Sequence, residues 1–248
     1  NNELNSIKKA MGLQSGKKYK NTDELRYGKI MILSDQDDDG THIKGLVFNM
    51  FHTLWPTLYK YDGFLNSMLT PVIKARKSGK LLQFYSVKDY DKWKLTSTGN
   101  WNVKYYKGLG TSTPQEAREY FKQLHIVKYD TSDVENDVSI NMAFGREDNS
   151  TTLRKEWLLG YNSDNTLDYT SKNVTIKEFI DQELIIFSNS DNIRSIPSVI
   201  DGQKPSQRKV IFSCLKRNLK SEIREAQLAG YVSENAAYHH GEASLQGT

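Results

Sequence analysis

Ser34-Asp35-Gln36-Asp37-Asp38-Asp39-Gly40-Thr41 follows the apolar run Ile30-Met31-Ile32-Leu33 and precedes apolar residues at Ile43, Leu46, Val47, Met50, Phe51, Leu54 and Trp55. The run reads as a buried strand of a parallel sheet. The i, i+3, i+4, i+7 spacing after it predicts an amphipathic helix that starts near Thr41 and ends before Pro56. The acidic turn therefore falls at the carboxyl end of a strand, where open α/β sheets bind ligands. Alternation along an extended turn lets Asp35, Asp37 and Asp39 converge. Four carboxylates in five residues repel one another, so a divalent cation is the expected resident.

Three chemistries compete for such a turn. An EF-hand opens with D-x-D-x-D-G, but its twelfth position requires a bidentate Glu and here is Leu46, and the element before it reads as a strand. A Walker B acid requires a G-x-x-x-x-G-K-[ST] loop, and Gly12-Leu13-Gln14-Ser15-Gly16-Lys17 is one residue short of one. A magnesium site for phosphodiester chemistry is the reading that remains, against the plain alternative of a solvated acidic turn.

The 248 residues suffice for one large or two modest domains. A net charge of +4 is compatible with a polyanionic partner without demanding one. The cations are uneven, however: Lys204, Arg208, Lys209, Lys216, Arg217, Lys220 and Arg224 stand against the single anion Glu222. Lys204, Arg208 and Lys209 crowd the start of a helix beginning near Pro205, where cations oppose the helix dipole and a docked phosphate would relieve the conflict. Cys214 is the only cysteine, which excludes an intrachain disulfide and points to an intracellular setting. No apolar run approaches membrane-spanning length, so no membrane partner is expected.

Residues 1–130 read as α/β, with a hairpin formed by 69–75 and 80–87 around Gly79 and a further strand at 101–106. Thr113-Pro114-Gln115-Glu116 and Thr175-Ile176-Lys177-Glu178 are capping boxes that open helices. Lys107-Gly108-Leu109-Gly110-Thr111 reads as an ordinary turn, with a phosphate-cradling loop as the sharper alternative. Residues 131–174 are polar and read as a connector interrupted by a helix at 155–159. Residues 175–248 read as helical, and three short helices with a basic face suggest a helix-turn-helix or winged-helix unit. Tyr238-His239-His240-Gly241 lacks the partners of a zinc site; a phosphate contact and a structural imidazole both remain open.

These segments together resemble the type IIA DNA topoisomerase family in its eukaryotic-type topoisomerase II form. The resemblance is carried by Ser34 to Leu46, Lys104-Tyr105-Tyr106-Lys107-Gly108-Leu109-Gly110-Thr111-Ser112, Arg154-Lys155-Glu156-Trp157-Leu158, Ser190 to Pro197 with Asp201-Gly202-Gln203-Lys204-Pro205, and Ala237-Tyr238-His239-His240-Gly241-Glu242. It covers nearly the whole chain in order, and the acidic and basic regions lie on one chain, as in the eukaryotic arrangement that some large DNA viruses share.

The resemblance implies a Rossmann-like α/β TOPRIM domain over 1–130, a connector over 131–174, and the start of a winged-helix DNA-binding domain over 175–248. It implies a part of an ATP-dependent enzyme, homodimeric and nuclear (or of the host cell or virion if viral), that cuts and reseals double-stranded DNA. Mg2+, as a two-metal site, would sit on Asp35, Asp37 and Asp39, and ATP would bind outside this chain. Arg194 and His240 would surround the scissile phosphate; Arg154, Lys155, Lys204, Arg208, Tyr238 and His239 would contact DNA. Gln203 and Ser206 depart from the family pattern without removing a charge. The family's third metal-binding carboxylate is expected before Asn1 and its nucleophilic Tyr beyond Thr248, so the chain by itself is not expected to complete strand passage. A TOPRIM nuclease or primase, and a non-catalytic DNA-binding module, are the competing readings; neither accounts for both the acidic turn and the basic C-terminal third.

Overall fold

The computed structural model describes residues 2–106, 108–169, 173–238 and 240–248. It is a mixed helix and sheet structure of two compact units, Asn1–Phe187 and Ser188–Thr248. In chain order the first unit begins with helix α1 (Asn2–Met11), strand β1 (Ile30–Ile32), helix α2 (Asp38–Leu54) and the short α3 (Pro56–Tyr59). Strands β2 (Leu65–Met68), β3 (Ile73–Lys77) and β4 (Lys80–Phe84) follow, then α4 (Val87–Thr96), β5 (Asn102–Tyr105), α5 (Pro114–Lys122) and β6 (Ile126–Asp130). Helices α6 (Val134–Phe144) and α7 (Ser150–Leu159), β7 (Asn173–Thr175) and α8 (Ile176–Phe179) lead through a π-helical turn (Ile180–Leu184) into α9 (Ile185–Ser195). Among the described residues no helix is long and apolar enough to cross a membrane.

The main sheet has the order β1-β2-β6-β7. β1 and β2 are parallel, joined by a crossover through α2, and β6 and β7 are parallel, but β2 and β6 run antiparallel. The sheet is therefore mixed, and β1 lies at its edge. Of the apolar run expected to be buried, Ile32 is buried while Met31 and Leu33 remain 38% and 39% exposed. The second sheet is the expected hairpin with a third strand, in the antiparallel order β4-β3-β5. Its turn, Ser78-Gly79, has φ of 47° and 80°, the two positive angles a type I′ hairpin requires.

Residues 131–174, expected as a polar connector, carry α6, α7 and the start of β7, and they pack into the first unit. The boundary expected before Thr175 is displaced to Phe187/Ser188, because α8 and the π turn send Ile176, Phe179, Ile180 and Leu184 into the main core. The Thr175–Glu178 capping box is present at the start of α8.

The helix after the acidic turn lies on the sheet by a face other than the one its apolar spacing suggests. Lys44, Phe48, Phe51 and Trp55 are buried, whereas Ile43, Leu46 and Leu54 are exposed. Phe48 stacks against Tyr129 of β6 at 4.5 Å and meets Phe179 of α8 edge-on at 5.1 Å. Gly45, on the same face, lets α6 approach so closely that an added Cβ would come within 2.7 Å of the Phe144 ring. Lys44 is 2% exposed and its ammonium pairs with Glu183 of the π turn at 3.3 Å. Burial alone pushes the Lys44 pKa down; Glu183 and Tyr129 beside it reverse the direction, so the ammonium stays charged.

A buried pair of this kind is costly to halve and cheap to replace whole. Lys44→Ala is expected to destabilise the chain by about 3–5 kcal/mol by stranding Glu183, while Lys44→Met combined with Glu183→Leu recovers most of that loss. Denaturant unfolding checks this, and strictly additive losses would refute the pairing.

Candidate functional site

The acidic turn is organised by the start of α2. Helical geometry begins at Asp38, so Asp37 becomes the N-cap and its carboxylate accepts the Gly40 N–H at 2.7 Å. Asp38 and Asp39 fall in the first turn, where the positive end of the helix dipole tempers their repulsion. Asp35 precedes the helix, and its Oδ1 accepts the Leu109 N–H at 2.7 Å. Gly40 is required: a Cβ there would lie 1.9 Å from the Asp35 carbonyl oxygen.

The three carboxylates do not converge as alternation along an extended turn suggests. Asp37 turns to cap the helix, and Asp39 is carried round by the helical twist. Among the described residues no group of three His, Cys, Asp or Glu side chains is placed to hold a metal. The donor set still suits magnesium in its usual phosphoryl-transfer form, which takes one or two carboxylates together with water and substrate oxygens. Asp35 and Asp37 each commit one oxygen to a backbone N–H and retain the other.

The loop that bonds Asp35 is the glycine-containing 107–112 segment, which reads from sequence as an ordinary turn; Lys107 itself lies outside the described residues. Gly108 has extended backbone, so its value is steric. A Cβ there would stand 2.9 Å from Asp35 Oδ2 and displace the carboxylate from Leu109. The loop leaves β5 at Tyr106 and enters α5 at Thr113 through the expected capping box.

Glu116 reads from sequence only as the box acid, but it gathers four partners. Its Oε2 accepts from the Thr113 N–H and from Lys104 Nζ, each at 2.8 Å, and its Oε1 accepts from the Tyr106 hydroxyl. Lys74, 1% exposed, stands 3.8 Å from Oε1 and 4.4 Å above the Tyr120 ring. Burial tends to raise the Glu116 pKa; Lys104, the Thr113 N–H, Tyr106 and Lys74 together hold it at about 2.

Of the DNA-contact candidates in the first unit, Arg154 and Lys155 diverge. The Arg154 guanidinium donates to the Met142 and Gly145 carbonyls, both at 3.2 Å, and so closes the C-terminal end of α6. Lys155 is exposed.

The second unit contains α10 (Pro205–Lys216), α11 (Glu225–Asn235) and α12 (Glu242–Gln246), packed around Ala229, Val232 and Leu245. Lys204 is the N-cap of α10, and its N–H donates to the Gln207 side chain at 2.9 Å. Arg208 pairs with Asp201 at 2.8 Å, and Arg194, near the end of α9, pairs with Asp191 at 3.0 Å. Lys209 donates to the Ala237 carbonyl at 2.7 Å and lies 5.9 Å above the Tyr238 ring. Tyr238 in turn meets His240 edge-on at 5.7 Å, with its hydroxyl 3.2 Å from Ser244 Oγ. Lys209, Tyr238 and His240 thus form one group, a pairing of lysine and tyrosine that sequence spacing does not announce. His239 lies outside the described residues.

Two consequences are measurable. Arg154→Ala is expected to cost about 1–3 kcal/mol of stability by uncapping α6, whereas Lys155→Ala stays within about 0.5 kcal/mol. Equal thermal-unfolding midpoints for the two variants would refute the capping role. Glu116 has its pKa depressed from 4.5 to about 2, so its contribution is complete above pH 4.5 and is lost as pH falls toward 2. Stability measured across that window should decline, and Glu116→Gln should flatten the decline.

Comparison with known proteins bears on the whole chain. A family model for the C-terminal associated domain of TOPRIM matches residues 68–192, and a family model for the A chain of DNA gyrase/topoisomerase IV matches residues 194–248. A probable DNA topoisomerase 2 of Dictyostelium discoideum is 47% identical over 252 residues, covering 100% of this chain and 16% of that protein. DNA topoisomerase 2-alpha of Rattus norvegicus is 47% identical over 267 residues, covering 100% of this chain and 17% of that protein. The chain therefore spans about one sixth of the length of these relatives. The crystal structure of the Plasmodium falciparum topoisomerase II DNA-binding, cleavage and re-ligation domain superposes with a TM-score of 0.83 at 42% identity, covering 99% of this chain and 34% of that one. The chain belongs to the type II DNA topoisomerase family, and residues 68–192 are its C-terminal associated domain of TOPRIM.

Proposed function

We propose that the chain forms part of the DNA cleavage and religation core of an ATP-dependent type II DNA topoisomerase. In this reading the first unit supplies the Rossmann-like TOPRIM metal-binding domain and the second the start of a winged-helix DNA-binding domain. The observation that carries it is the acidic turn, whose carboxylates are held by backbone N–H groups at the mouth of a βαβ crossover. Likeness along the full chain to a solved DNA-binding, cleavage and re-ligation domain supports it.

Magnesium is the cation that suits this turn, with Asp35 and Asp37 holding it and Asp39 contributing. There it would supply Lewis-acid stabilisation of phosphoryl oxygens. The chain's own groups bind and orient DNA. Arg194 and His240 would donate hydrogen bonds to the scissile phosphate and offset charge building on it. Lys155, Lys204, Arg208 and Tyr238, with His239, would contact the phosphate backbone. Arg154 would meet DNA only through donors left over from its two α6 carbonyls. Homodimerisation, a nuclear setting and an ATP site elsewhere in the protein belong to the same proposal.

Two measurements test it. Affinity for duplex DNA should fall steeply between low and moderate salt, and Lys204→Ala should reduce the log–log salt slope by about one. Asp37→Asn should weaken magnesium binding in calorimetric titration. A flat salt response or an unchanged titration would remove the DNA or the metal assignment respectively.

A further inference from the structure

The 107–112 loop touches the acidic turn through one backbone N–H, so its position governs where Asp35 can rest. Gly108 and Gly110 bring no side chains that could fix the loop, and Leu109 is not among the buried core residues. Restraint comes from its two ends, and both lead to one side chain. Tyr106, at the end of the strand leading in, donates its hydroxyl to Glu116 Oε1; Thr113, the residue that ends the loop, donates its backbone N–H to Glu116 Oε2 at 2.8 Å. Lys104, on the same strand, donates to Oε2 at 2.8 Å as well.

Glu116 is 8% exposed, and its own N–H bonds Thr113 Oγ1 at 3.2 Å, so the carboxylate is fixed to the first turn of α5 rather than to the loop it holds. The Tyr106 ring is further fixed by Lys104 and Lys74, 4.5 Å and 5.4 Å from its centre. A helix, a strand and a loop are joined at one anion. Cutting that anion out frees both loop ends at once, while the hydrogen bonds of the β4-β3-β5 sheet remain.

We propose that Glu116 is a positioning residue for the acidic turn: by clasping both ends of the 107–112 loop it places the Leu109 N–H on Asp35 and so sets the aim of that carboxylate. The clasp itself is independent of what the turn binds; its consequence for magnesium rests on the function proposed above. Glu116 touches no substrate and acts through Leu109.

Hydrogen exchange and magnesium calorimetry on the full chain separate these elements. Glu116→Gln should speed exchange of the Leu109 amide at least tenfold while the β3 amide of Ala75 exchanges at the parent rate, and should weaken magnesium binding several-fold. Tyr106→Phe, which keeps the ring and removes one grip, should give a smaller change of the same kind in a variant whose folding is secure. Asp37→Asn reports on the metal reading alone: it should weaken magnesium without altering Leu109 exchange. Parent-rate exchange at Leu109 in both loop variants overturns the clasp. Faster exchange with parent magnesium affinity, alongside a weakened Asp37→Asn, overturns the link from clasp to metal. Parent affinity in all variants with fast Leu109 exchange sinks the magnesium reading and upholds the clasp.

Discussion

The hydrogen bond from the Leu109 N–H to Asp35 is the contact on which the local architecture turns. It joins two stretches far apart in sequence, and each must be stripped of side-chain bulk for it to form. Gly40 clears the space beside the Asp35 carbonyl, and Gly108 clears the space beside its carboxylate. A negative charge held this way is presented by a backbone dipole rather than by a flexible cation. That suits a group whose remaining oxygen faces a ligand, because a neighbouring Lys or Arg would compete with a metal for the same carboxylate.

Much of the framework is legible in the sequence because it rests on local chemistry. Both capping boxes, the Gly79 hairpin and the strand-turn-helix around the acidic run depend on residues close in sequence, and each is present. What escapes such a reading depends on tertiary partners. In α6 the apolar Val134 and Val138 face outward while Asn136, Ser139 and Ile140 are buried, so its periodicity conceals a core-facing helix. Asn136 is accommodated there because its side chain accepts the Lys177 N–H at the start of α8. On α2 a lysine holds a core position that any hydrophobicity pattern assigns to solvent.

The candidate site divides along the same line. Residue types locate the acidic turn and the cationic segment, but not how their groups are spent. Arg154 and Lys155 are adjacent, yet one is committed to the end of α6 and the other is exposed. The expected convergence of three aspartates assumes extended backbone, and an N-cap at Asp37 replaces it with helical geometry. Glu116 is visible as a cap; its three further partners come from β3 and from β5 and its end, and no sequence spacing announces them.

The buried Lys44 has a bearing on the acidic turn as well as on the core. α2 carries apolar side chains around much of its circumference, with Ile43, Leu46 and Leu54 left exposed beside the buried Phe48 and Phe51. Dispersion and desolvation alone would discriminate weakly between seating the helix by one flank or the other. An ammonium paired with Glu183 breaks this degeneracy, because any roll of the helix would strand both charges. The acidic residues sit on the first turn of that same rigid rod, so a charge pair hidden in the core acts as a rotational key for the carboxylates at its tip.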